Sequence, residues 1–173
     1  MSDKRKSFQS TFEKMKSCLL ELGFSGVDEI IEEDSGKLIT GIQDHDFDMF
    51  IEITCKADIV NLRLSPTLTF ELPDMLAFNQ LINELNRTIM DIGHFSTNEA
   101  EKEVLLQTSI DCIEQVFDRE QIKTTIKRVV QQGLEGFKLL KEMLSGDECP
   151  YQMLGSYIAD KIENQQNDEK TIH

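Results

Sequence analysis

The spacing of apolar residues divides the chain into helical and extended segments. The first segment predicts an α-helix that ends at Gly23. Its apolar residues recur every three or four positions: Phe8, Phe12, Met15, Leu19 and Leu22. From residue 27 to 64 the apolar period falls to two, which is typical of strands, most clearly from Phe47 to Cys55. Polar turns, including one at Asp34-Ser35-Gly36, divide this region into four strands, and an antiparallel meander with one polar face is the economical arrangement.

The second half of the chain returns to helical spacing on either side of a hairpin. A helix is predicted from Pro73 to Gly93. Two strands follow, at 94–97 and 104–110, around a polar turn. Asp118 and Gln121 form a capping-box signature at the start of a long helix that ends near Gly146. Gly133 and Gly136 inside it predict a bend or a close contact with another helix.

These segments predict an α+β fold in the order α-ββββ-α-ββ-α-α, with an antiparallel sheet flanked by helices. At 173 residues the chain is the length of one domain, which we place at 1–163 with a core of about 8–144. An accessory helix is expected at about 151–162, and the polar tail 164–173 is expected to be disordered.

Composition and charge narrow the function classes. Hydrophobic residues make up 39% of the chain and charged residues 29%, as in ordinary globular proteins. No apolar run is long enough for a membrane span, and no apolar core follows the basic N-terminal residues, so a cytoplasmic location is expected. The net charge of −14 repels phosphate backbones and anionic membranes, which argues against nucleic acid and membrane partners.

The charge is also unevenly distributed. Residues 28–58 contain ten acidic and two basic residues, a net charge of −8. Residues 119–141 contain six basic and two acidic residues, a net charge of +4. Arg119, Lys123 and Lys127 form an i, i+4 row that either faces the acidic sheet of this chain or of a second subunit, or is simply solvated.

The densest group of ionisable residues is Asp44, His45, Asp46 and Asp48, which suggests a metal site or a polar hairpin corner. A calcium loop of the EF-hand type requires glycine at its sixth position and glutamate at its twelfth, where this chain has Met49 and Cys55. We favour the corner, since aspartate is a common turn residue. A metal-binding enzyme or sensor using Asp44, His45 and Asp46 stays as the alternative.

Other catalytic signals are missing from the sequence. The four cysteines are far apart and contain no CxxC pair, so packed thiols are expected rather than a zinc or redox site. His94 is interpreted as structural or surface-exposed, and the glycines form no nucleotide-binding loop. We therefore expect no enzyme, no cofactor and no resident metal.

Four residues are candidates for contact with a partner. Phe50 lies on the otherwise polar face of its strand, beside Asp48 and Glu52, and either contacts a partner or is covered by a helix. Three amides lie on one flank of the second helix and either border a binding groove, are solvated, or cap the ends of neighbouring strands. These amides are Asn79, Asn83 and Asn86.

The segment Leu81–Ile110, LINELNRTIMDIGHFSTNEAEKEVLLQTSI, resembles the YbjN family of bacterial sensory-transduction regulators. The resemblance rests on a helix containing Leu85-Asn86 followed by the strand Gly93-His94-Phe95-Ser96, a polar turn and an alternating apolar strand. It implies the fold of class I type III secretion chaperones, which are small, acidic and usually dimeric. It implies no catalytic residues, and the helix after Gly146 departs from the family pattern.

Together these patterns favour a non-catalytic cytoplasmic protein-binding module, either chaperone-like or a regulatory adaptor. Another protein would bind through a sheet face, a sheet edge or a helix groove. A homodimer is left open. Besides the metal site, a second alternative is a small-ligand sensor with an apolar pocket between sheet and helices.

Overall fold

The computed structural model describes residues 3–56, 59–67, 75–88, 90–98, 103–111, 118–145 and 152–160. Within these residues the chain forms four helices and one six-stranded antiparallel sheet, which confirms the α+β class and the predicted order. The elements are α1 Asp3–Glu21, β1 Asp28–Ile31, β2 Gly36–Ile42, β3 Met49–Cys55, β4 Ile59–Pro66, α2 Met75–Thr88, β5 His94–Asn98, β6 Glu103–Asp111, α3 Arg119–Ser145 and α4 152–160.

The strands lie in the order β1-β2-β3-β4-β6-β5, and every neighbouring pair is antiparallel. The first four therefore form the predicted meander. β6 pairs with β4, with Leu64 opposite Leu106, and β5 becomes an edge strand. At the other edge, the β1–β2 turn is centred on Glu33-Asp34, one residue earlier than predicted, because Glu32 N donates to Ser35 O at 2.9 Å.

Alternation along the strands gives the sheet two different faces. The inner face carries buried apolar side chains, such as Leu38, Ile51, Leu62 and Leu106, which join one core with residues from all four helices. The outer face carries the intervening residues, which are mostly polar and partly exposed, such as Glu52 and Arg63. A buried layer of this size is the main stabilising contribution to the fold.

α3 lies against the inner face through its two internal glycines. A Cβ atom added at Gly136 would lie 2.4 Å from Cζ of Phe95, and one added at Gly133 would lie 2.5 Å from Cδ1 of Leu64. The close contact predicted at these glycines is therefore made with the sheet and not with another helix. The ring of Phe95 also packs edge-on against Phe137, with ring centroids 5.2 Å apart.

α2 is shorter than the predicted helix. It ends at Thr88, and residues 90–93 are not helical; Gly93, with φ of 80°, adopts a left-handed conformation that suits glycine. Two contacts tie this segment to α3: Asp91 forms an ion pair with Arg128, and the backbone N–H of Ile92 donates to the side chain of Gln132. The predicted helix start at Pro73 and the predicted tail 164–173 lie outside the described residues.

Candidate functional site

The outer face of the sheet is a surface that the described helices leave uncovered. Each of the four helices contributes apolar residues to the core on the inner face, including Phe12, Leu85, Phe137 and Leu154. One side of the sheet is therefore a packed layer. The other side, in the part of the chain that the structure describes, has no helix packed on it.

Phe50 projects from the outer face near the beginning of β3. Its side chain is 51% exposed, although it lies on a central strand of the sheet. Its cross-strand neighbours are small, Gly41 on β2 and Ser65 on β4, so neither side of the ring is covered by a large side chain. Of the two predicted environments, the described structure shows an exposed ring and no helix over it. Whether Phe50 contacts a partner stays a prediction.

Polar side chains surround Phe50 along and across the strands. Glu52 lies opposite Arg63, and Arg63 also pairs with Glu103 at 3.5 Å. Further along, Ser109 donates to Asn61 at 2.8 Å. An exception on this face is Leu105, which is 5% exposed and lies toward the β5 side. On β3 and β4 the large exposed apolar side chain of this face is that of Phe50, and Ile30 of β1 is a second exposed apolar residue on the same face.

The two edges of the sheet are different. At β5, the side-chain amide of Asn86 bonds both backbone groups of Phe95: Phe95 N donates to Oδ1 at 2.6 Å, and Nδ2 donates to Phe95 O at 2.9 Å. The amide thus replaces a neighbouring strand at that point and blocks the edge. Asn79 accepts from Thr97 at 3.1 Å, while Asn83 is exposed. Two of the three predicted amides therefore bind β5, as the strand-capping alternative describes.

The edge at β1 is open. All four residues of β1 are exposed, and the Glu32–Ser35 hydrogen bond sets the alternation so that the backbone groups of Glu29 and Ile31 point away from β2. The side chains of Ile30 and Ile31 are 45% and 62% exposed. The alternation pattern did not single out these two residues, although adjacent isoleucines on a four-residue strand must point to opposite faces.

The aspartate cluster lies in the connection between β2 and β3, as the hairpin-corner interpretation expects. Lys138 of α3 reaches into it, with Nζ 3.0 Å from Asp44 Oδ1 and 3.4 Å from Asp46 Oδ2. This ammonium group lowers the pKa of both carboxyls, and Asp44 in turn raises the pKa of Lys138. The side chain of His45 is 98% exposed. The cluster therefore fastens the β2–β3 connection to α3.

No group of three or more histidine, cysteine, aspartate or glutamate side chains among the described residues is arranged to hold a metal. Cys18 and Cys55 are buried, as predicted for packed thiols, and burial raises the pKa of Cys18. Cys112 and Cys149 lie outside the described residues. His94 is exposed at the start of β5.

The basic row of α3 has a partner within the chain. Arg119 and Lys123 both bind Glu21 at the end of α1, at 2.6 Å and 3.2 Å. Lys123 also pairs with Glu120 at 2.5 Å. Of the alternatives considered for this row, the structure shows contact with acidic helix residues rather than with the sheet. Lys127 lies one turn further along α3.

Comparison with known proteins adds to the description of the fold only. No family model matches the chain, and no curated protein matches it. Among solved structures, an uncharacterized protein from Methanothermobacter thermautotrophicus is similar, with a TM-score of 0.53 and 18% sequence identity. The match covers 77% of this chain and 98% of that chain. In the described part of the chain, no helix has the length and apolar character that a membrane crossing requires.

Proposed function

We propose that this protein is a non-catalytic protein-binding module, chaperone-like or regulatory, which engages its partner through the outer face of the sheet around Phe50. One observation carries the proposal: a large aromatic ring stands half-exposed on a central strand, on the face with no described helix. An aromatic anchor surrounded by polar groups is the usual composition of a protein interface.

The energetics of this ring support a contact. Full burial of a phenylalanine side chain contributes about 1.5–3 kcal/mol, so covering the exposed half of Phe50 would contribute about 1 kcal/mol or more. The small neighbours Gly41 and Ser65 leave room on both sides for an inserted side chain. Phe50 would then act as the anchor, with the polar residues around it fixing the orientation of the partner.

The open edge at β1 supplies a second surface of the same site. Unpaired backbone groups at a sheet edge can accept an extended segment from another chain. Asp28, Glu29, Glu32, Glu33 and Asp34 make this edge strongly acidic, with Glu29 paired to Lys16 at 2.7 Å. A partner with basic residues next to an apolar one fits this combination, and the acidic groups oppose edge pairing between two copies of this chain.

The kinship with YbjN regulators, the chaperone-like fold, a cytoplasmic location and a homodimer belong to this proposal as predictions. They rest on the sequence resemblance of Leu81–Ile110 and on the charge pattern. The metal-binding alternative has less support, because Lys138 already binds both Asp44 and Asp46.

The test is capture of the partner from native cytosol with wild-type protein and two variants, followed by mass spectrometry. Phe50→Asp should lose a partner that the wild type retains in stoichiometric amount, because it places a charge where the ring would be buried. Leu20→Asp is the matched control, since Leu20 is similarly exposed, at 53%, but lies on α1. A wild type without a stoichiometric partner, or a Phe50→Asp variant that keeps it, would overturn the proposal.

A further inference from the structure

A second candidate site lies in the helical layer, far from the outer face of the sheet. It is a groove of about 380 Å³ between the end of α1 and one flank of α3. Its walls are apolar and are formed by Leu22, Phe24, Ile126, Val130 and Leu134. This volume falls within the range of roughly 300–1,000 Å³ that is typical of small-molecule sites.

The end of α1 determines the shape of one wall. Gly23 adopts a left-handed conformation, with φ of 89°, and the N–H of Phe24 returns to Leu19 O at 3.1 Å. This arrangement is the usual way in which glycine ends a helix. It directs the chain back along α1, so that Leu22 and Phe24 line the groove together with α3.

The opposite wall is one flank of α3. Ile126, Val130 and Leu134 follow one another at single helical turns, and the lining continues from Lys127 to Lys138. At 1.5 Å per residue, those eleven steps correspond to about 16 Å of helix. A groove of this length and volume suits an unbranched chain better than a compact ring system.

The two ends of the groove differ in the charge of their polar rim residues. At the Lys138 end the cation is already bound by Asp44 and Asp46, and Glu135 adds a further acidic group. At the other end Lys127 is exposed and forms no ion pair with a described residue, while its neighbour Lys123 is bound to Glu21 and Glu120. The uncompensated positive charge of the rim is therefore at Lys127.

We propose that this groove binds an unbranched aliphatic carboxylate, with the chain along the apolar walls and the carboxylate at Lys127. The site differs in position from an apolar pocket between sheet and helices, which was the sequence-based alternative. It is also independent of the proposed protein-binding face, because no wall or rim residue comes from the sheet.

Decanoate is a suitable probe, with 1-decanol as the matched neutral compound, both used below the concentrations at which they aggregate. Titration calorimetry and thermal unfolding should show saturable binding of one decanoate per chain. Lys127→Glu should weaken decanoate binding about tenfold, because it removes one attraction and adds one repulsion, each of up to about 1 kcal/mol. It should leave the affinity for 1-decanol unchanged.

Lys56→Glu is the control for the change in net charge, since Lys56 is exposed in the β3–β4 connection and should bind decanoate like the wild type. Val130→Phe places a larger side chain in the groove and should weaken the binding of both decanoate and 1-decanol. Circular dichroism should confirm that this variant is folded. Absence of saturable decanoate binding, equal affinities in Lys127→Glu and Lys56→Glu, or unchanged binding in folded Val130→Phe would each overturn the inference.

Discussion

The side chain of Asn86 forms the hydrogen bonds to β5 that a neighbouring strand would otherwise form. Its single amide satisfies both the donor and the acceptor of Phe95, which is buried at 2% exposure. The helical spacing of Asn79, Asn83 and Asn86 predicted an amide flank and included strand capping among its roles. The spacing could not distinguish these roles, because the hydrogen bonds between Asn86 and Phe95 require β5 to lie beside α2 in the folded chain.

Replacing Asn86 by Ala should lower the free energy of unfolding by about 1–3 kcal/mol, since two backbone groups of β5 lose their partner. Urea unfolding followed by circular dichroism measures this change. Asn83→Ala is the matched control, because Asn83 is an exposed amide on the same helix, and it should stay within about 0.5 kcal/mol of the wild type. Equal stabilities of the two variants would contradict the assigned role of Asn86.

The ion pairs of Lys138 with Asp44 and Asp46 predict that the stability of the fold decreases at acidic pH. The pKa values of Asp44 and Asp46 are lowered in the folded chain, so their stabilising contribution is present above the unfolded pKa and is lost as pH falls through the folded one. For aspartate this window lies below about pH 4. Melting temperatures of the wild type should therefore fall between pH 5 and pH 2 partly through these two groups.

A double variant, Asp44→Asn with Asp46→Asn, should show a smaller loss of melting temperature over the same pH range. Asp48→Asn is the control, because Asp48 lies in the same connection and forms no ion pair with a described residue. If the double variant lost as much melting temperature on acidification as the Asp48→Asn control, the ion pairs would not be the cause.

The backbone of α3 lies close against the sheet at two glycines. Gly133 and Gly136 are unfavourable for an isolated helix, but they allow its backbone to approach Leu64 and Phe95. Helical spacing predicted the length of α3 well, from Asp118 to near Gly146 against an observed Arg119–Ser145. What the glycines contact could not be predicted, because nothing local in the sequence specifies which element lies opposite them.

Gly136→Ala should destabilise the fold despite the better helix propensity of alanine. The added methyl group must displace the buried ring of Phe95, which costs about 1–3 kcal/mol, against about 1 kcal/mol gained in the helix. Gly155→Ala in α4 is the control, because no described atom lies within 4 Å of its added Cβ, and it should be neutral or stabilising by up to about 1 kcal/mol. A stabilised Gly136→Ala variant would disprove the close packing of α3.

The strand order shows the limit of local patterns. Period-two alternation and turn residues predicted the hairpins, because neighbouring strands joined by short turns pair with each other. The pairing of β6 with β4 joins residues 42 to 52 positions apart, from Leu64 with Leu106 to Ile59 with Asp111, and no short-range signal specifies it. The fold class could therefore be read from the sequence, while the topology needed the structure.

The fold as a whole separates a helical layer from an open sheet face. Binary patterning predicted that one face would be polar, and the odd position of Phe50 in that pattern identified it as a candidate. The exposed isoleucines of β1 and the groove beside α3 depend on the contacts of distant segments, so sequence reasoning did not find them. The proposed function follows from the exposed position of Phe50 rather than from the fold class, which many unrelated functions share.

The most direct test is hydroxyl-radical footprinting of the unmodified protein, alone and with the partner captured from cytosol. Our account predicts that oxidation of Phe50 falls several-fold in the complex, while oxidation of the equally exposed Leu20 does not change. If Phe50 is oxidised as fast in a stoichiometric complex as in the free protein, the partner binds elsewhere and the proposed role of the outer face is wrong.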